Sequence, residues 1–134
     1  MPITIRWYDD TQTIVLWEFV GAWTIDELHT IYTTSHNMCV TVPENKVIAL
    51  LDVTRSANAV PANIFSALTN RRRTQASNFD MIVLVTTSSL IKVFVNILMK
   101  MPALRDQFAL YENFEDALAF IHKRQTQQLE SSLE

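Results

Sequence analysis

Glycine is all but missing from this chain: Gly21 is the only one in 134 residues. Without glycine there is no loop whose backbone can wrap a phosphate closely and no dinucleotide-binding fingerprint. Cysteine is equally scarce. Cys39 stands alone, so no internal disulfide can form. The three histidines, His29, His36 and His122, show no metal-site spacing, and the first two lie about 10.5 Å apart along the axis of a predicted helix. No metal and no cofactor is expected. Eleven basic residues against fourteen acidic ones leave a formal charge of -3, so no global positive field exists to hold a nucleic-acid backbone. The longest apolar run, 90–101, is interrupted by Lys92, Asn96 and Lys100 and falls short of the roughly 20 residues that a membrane span requires. The opening residues MPITIRWYDD carry no basic segment leading into an apolar one, and a cytoplasmic placement is the expectation.

What is present reads as one globular domain. A hydrophobic share of 49% with 19% charged residues suits a soluble core of ordinary size. The chain is organised around 46–52, KVIALLD, whose five consecutive apolar residues read as a strand buried on both faces, followed by a polar loop, 53–61, at its carboxyl end. A second such strand is predicted over 79–87, FDMIVLVTT, parallel to the first. Before them, Ile3, Ile5 and Trp7 alternate with polar positions and 13–20 resumes as a strand, which predicts an antiparallel hairpin.

Helices follow from period and caps. Thr24 and Glu27 form a T-x-x-E capping box ahead of a stripe of Leu28, Ile31, Tyr32, Ser35 and Cys39. Pro61 with Ile64, Phe65 and Leu68 predicts a helix after the central strand, its distal half carrying Arg71, Arg72 and Arg73, which complement the helix dipole. Ser88 or Ser89 caps a helix over 90–101 that is apolar on nearly all sides. With one broad face on the sheet, Val95, Leu98 and Met99 are expected at the surface, against a second copy or around an apolar ligand. Phe108 to Tyr111 is a short last strand, and Asn113 caps a closing helix with Phe114, Ala117, Leu118 and Ile121 inward. The polar residues 125–134 are expected to form a frayed tail beyond a domain of residues 1–124.

The predicted fold is α/β: an N-terminal antiparallel hairpin, then parallel strands joined by right-handed crossover helices, about five strands and four helices in all. This order, with the strand ending at Leu51-Asp52 and the helix start Glu115-Asp116-Ala117-Leu118, resembles the STAS domain, the anti-sigma-factor antagonist fold, and its small SpoIIAA-like relatives. The resemblance covers residues 3–122. It implies a regulatory module whose partner kinase phosphorylates a serine in an Asp-Ser-Ser-Gly stretch. That stretch falls here on Pro61-Ala62-Asn63-Ile64, where the acceptor position is Ala62, which has no hydroxyl.

Function is therefore sought in the loop after the central strand and in the helix over 90–101. Asp52, Thr54, Arg55, Ser56, Asn58 and Asn63 form the candidate partner or ligand loop, at the carboxyl end of the sheet where such sites gather. Thr54 and Ser56 are its candidate phosphoacceptors. Ile91, Phe94, Val95, Leu98 and Met99 form the candidate dimer or cavity helix. No catalytic residue is assigned: Asp52 has no histidine or lysine near it in sequence, Ser56 lacks an evident base, and an aspartate ending a strand commonly accepts hydrogen bonds from following amides. The leading expectation is a non-enzymatic interaction module that pairs with itself or with a regulatory protein. The alternative is a binder of a lipid or other small apolar molecule in a cavity under the 90–101 helix, which Phe65, Phe94 and Met99 would line.

Overall fold

The computed structural model describes residues 2–57, 76–102 and 105–133. Five strands form one mixed sheet in sequential order: β1 (Ile3–Trp7), β2 (Ile14–Gly21), β3 (Val47–Ser56), β4 (Phe79–Val85) and β5 (Phe108–Tyr111). The first pair is antiparallel, from Ile3 opposite Phe19 to Trp7 opposite Val15, and the remaining neighbours are parallel. Three α-helices lie among the described residues: α1 (Ile25–Val40), α2 (Ser89–Lys100) and α3 (Phe114–Leu133). The helix expected at Pro61, with Asn58, Asn63, Ile64, Phe65, Leu68 and the three arginines, falls in 58–75, outside the described residues.

Local chemistry accounts for the boundaries. Thr24 accepts the Glu27 amide while Glu27 accepts the Thr24 amide, closing the capping box of α1. Gly21 ends β2 at a φ of 71°, a left-handed turn that suits glycine. Ser88 accepts the Ile91 amide at the start of α2, and Asn113 does the same for Asp116 at the start of α3. The Asn78 amide donates to the carbonyls of Cys39 and Val42, at 2.9 and 3.1 Å, tying the end of α1 to the entry of β4.

The period-two alternation of the strands divides the core in two. On one face Val15, Trp17, Phe19, Ala49, Leu51, Ile82 and Leu84 pack beneath α1 and α2. On the other, Ile14, Leu16, Ile48, Leu50, Val83 and Val85 pack against Ala117 and Ile121 of α3.

Two expectations need correction here. The closing helix does not stop near Gln125 but runs to Leu133. Glutamine, leucine, glutamate and serine are compatible with a helix, and Gln128 is drawn in by a hydrogen bond to Asp80. The central strand likewise does not end at Asp52: it continues to Ser56 because Arg55 and Ser56 pair with Val20 and Gly21.

Candidate functional site

At the carboxyl end of β3 the ladder with β2 slips. Glu18 lies opposite Asp52, but Val20 lies opposite Arg55, so β3 holds one extra residue there. A bulge of this kind reverses which face each later side chain meets. Leu51 and Val53 point to the α1–α2 face, and Ser56, three residues beyond Val53, is brought back to that same face. There its hydroxyl accepts the Trp23 indole N–H at 3.0 Å and donates to the Ala57 carbonyl at 3.2 Å. Arg55 turns the opposite way, to Glu18 at 3.1 Å, and Arg6 joins the same carboxylate at 3.6 Å.

The bulge thus separates the residues that the sequence groups into one loop. Asp52 accepts the Thr54 amide at 3.0 Å and the Thr54 hydroxyl at 2.6 Å, an Asx-type closure of its own turn. Thr54 and Arg55 are exposed, whereas Asp52 and Ser56 are half-buried. Asp52, Thr54, Arg55 and Ser56 lie on strand β3, not on a loop.

Beneath α1 and α2 the sheet borders an apolar cavity of about 80 Å³. Ile91, Phe94, Val95 and Leu98 line it from α2, Leu28 and Tyr32 from α1, and Ser56 and Trp23 supply its polar edge. Met99 is not among the lining residues and packs instead against the core.

The orientation of α2 differs from the expected one. Val95 and Leu98 are each only 2% exposed, so they belong to the core of their own domain and not to its surface. Leu90, Val93 and Ile97 are the exposed residues, at 52%, 58% and 48%. The polar line of Lys92, Asn96 and Lys100 turns away from the sheet, and the apolar arc is wide enough that Val95 and Leu98 fall inside while Leu90, Val93 and Ile97 stay outside. Ser88 caps the start of the helix, and Lys92 reaches Glu112 beyond the end of β5. The three exposed residues recur at i, i+3 and i+7 and therefore form one ridge.

A second irregularity holds the far end of the sheet. Val47 lies opposite Phe79 but Ala49 opposite Ile82, so β4 also has an extra residue. Phe79 stays on the α1–α2 face, while Asp80 meets α3. There Arg124 grips Asp80 through two bonds of 2.8 Å and Gln128 adds a third at 2.9 Å. Burial pushes the Asp80 carboxyl up, yet the hydrogen bonds from Arg124 and Gln128 and the nearby Arg124 and Lys46 charges outweigh it, holding the group below its ordinary range. This clasp joins residues 44 and 48 positions apart, and the sequence alone gives no signal for it.

Solved structures share this architecture. An uncharacterized protein of the DUF3478 family with a SpoIIAA-like fold, from Shewanella loihica PV-4, matches with a TM-score of 0.62 at 13% identity, over 88% of this chain and 90% of that one. An anti-sigma factor antagonist from Mycobacterium paratuberculosis matches with a TM-score of 0.54 at 14% identity, over 90% of this chain and 94% of that one. No family model and no curated protein matches the sequence. The chain has the SpoIIAA-like fold of STAS domains.

Proposed function

We propose that this chain is a non-enzymatic regulatory module that works by binding protein, its own second copy included. The observation that carries the reading is the α2 ridge. Leu90, Val93 and Ile97 are half of the exposed large hydrophobic residues of the described chain, and all three stand on one helix face. Single exposed apolar residues are ordinary, whereas contiguous ones mark contact surfaces. The SpoIIAA-like fold, which an anti-sigma factor antagonist also has, agrees with a regulatory protein as partner in a cytoplasmic setting.

Within this reading the end of β3 is the second contact surface, offered by Thr54 and Arg55 with Asn58 and Asn63 following in sequence. Thr54 is the phosphoacceptor of choice, because it is exposed although its hydroxyl donates to Asp52, while Ser56 is half-buried against Trp23. A phosphate there adds about -1.5 to -2 charge beside Asp52 and competes with Glu18 for Arg55. The non-enzymatic part rests on how the carboxylates are employed: Asp52 closes its own turn, Glu18 binds two arginines, and Asp80 clasps a helix. Light scattering across a range of protein concentrations tests the self-association. A mass rising toward twice that of one chain supports it, and a monomer at every concentration counts against it.

The second reading, an apolar ligand, has the cavity in its favour. Its size limits the guest. A cavity of about 150 Å³ is what a benzene-sized molecule occupies, so about 80 Å³ does not hold a lipid chain without rearrangement. Native mass spectrometry of the purified protein decides: a stoichiometric apolar adduct supports this reading, and the bare chain mass weakens it.

A further inference from the structure

The inward stripe of α3 changes character after Ile121. Up to that point its positions at spacings of three and four are apolar, Phe114, Ala117, Leu118 and Ile121, and they pack into the core of their face. The next positions on the same side are Arg124, Gln125 and Gln128, all polar and half-buried, and no residue of 122–131 is buried. Three hydrogen bonds to one carboxylate join this distal part to the sheet. Asp80 takes two of 2.8 Å from Arg124 and one of 2.9 Å from Gln128. The Gln125 amide nitrogen is enclosed as well, yet it has no hydrogen-bond partner among the described residues, which counts against docking.

The pair is asymmetric: the Asp80 side chain is 5% exposed and that of Arg124 36%. Without Arg124, Asp80 is a buried charge lacking its partner, an arrangement of high cost. Lifting the distal part off the sheet lets water reach the carboxylate and relieves that cost, and it gives up no buried residue of 122–131. Once lifted, 122–133 does not stay helical, because threonine and serine are weak helix formers and isolated helices shorter than about 12–15 residues are marginal in water.

We infer that residues 122–133 form a strap that opens as a unit, breaking just after Ile121, with the Asp80–Arg124 pair as its latch. Opening bares the Asp80 carboxylate and turns the end of α3 into free chain, while 114–121 and the sheet stay folded. The strap is independent of the self-association proposed above and needs no second copy.

The test is NMR of the full chain at neutral pH, read residue by residue through amide exchange and helical carbon shifts. In the parent, protection is expected to fall in one step between 121 and 126, and exchange beyond the step to be insensitive to low denaturant, as a local opening is. Protection that declines evenly from 114 to the end of the helix, or that responds to denaturant as the strands do, overturns the inference; this measurement needs no variant and decides even where a variant fails to fold. In Asp80→Asn and Arg124→Met the amides of 126–133 are expected to lose protection about tenfold or more and their helical shifts to shrink, while 114–121 and the strands keep the parent's shifts. Folded variants in which 126–133 keep their helical shifts, or in which 114–121 unwind with them, overturn it equally.

Discussion

The two faces of the sheet are closed by different means. On one, α3 lies over Ile14, Leu16, Ile48, Leu50 and Val83 and is locked at its distal half by the Asp80–Arg124–Gln128 clasp. On the other, α1 and α2 border a cavity, and α2 turns three large apolar residues to solvent. Dense packing plus a buried ion pair is what holds a fold together. Both faces carry buried core, the larger one under α1 and α2, and what separates them is the Asp80–Arg124 clasp on one side and the exposed ridge on the other.

Breaking the buried core should show the largest effects. Ile121 is fully buried there, and Ile121→Ala is expected to destabilise the protein by about 2–5 kcal/mol in denaturant melts. Val93→Glu, on the opposite face, should change stability by less than about 0.5 kcal/mol. Comparable losses from the two substitutions would end the comparison.

The clasp comes next. Arg124→Met leaves the Asp80 carboxylate with Gln128 alone and is expected to lose about 1.5–3 kcal/mol at neutral pH. Because the folded-state Asp80 pKa is depressed, its contribution is complete above the unfolded value of about 3.9 and is lost as pH falls through the lower folded value. Acid titration of the Asp80→Asn variant should accordingly show a shallower stability loss below about pH 4 than the parent.

Smaller still is the cap of α1. Thr24→Ala removes one half of the capping box and should lower stability by about 1 kcal/mol, read as a shift of the denaturation midpoint at constant slope. The smallest effect is a null one. Burial of Cys39 pushes its thiol up to about 11, so a thiol reagent should fail to label the native protein at neutral pH and label it promptly once denatured.

Much of this architecture was legible in the residues, for reasons that are local. The alternation in β1, the apolar runs of β3 and β4, and the Thr24–Glu27, Ser88 and Asn113 caps each depend on neighbours within a few positions. They predict the antiparallel start and the order of the described elements, while the helix expected after Pro61 lies outside the described residues. What the sequence hides depends on distant partners. The bulge that sends Ser56 toward Trp23 and Arg55 toward Glu18 exists only in the pairing of β3 with β2, so the residues read as one polar loop divide between two faces. The continuation of α3 to Leu133 rests partly on Gln128 meeting Asp80. In the helix 90–101 the polar line of Lys92, Asn96 and Lys100 marks the side away from the sheet, but the wide apolar arc leaves its exposed flank unmarked, and the expected surface residues Val95 and Leu98 are core.

The most direct test of the difference between the faces is amide hydrogen exchange measured at low and at high protein concentration. The account predicts that protection rises with concentration along α2, while α3 and the strands stay as they were. Protection that rises along the body of α3 instead, or along neither helix, would contradict it.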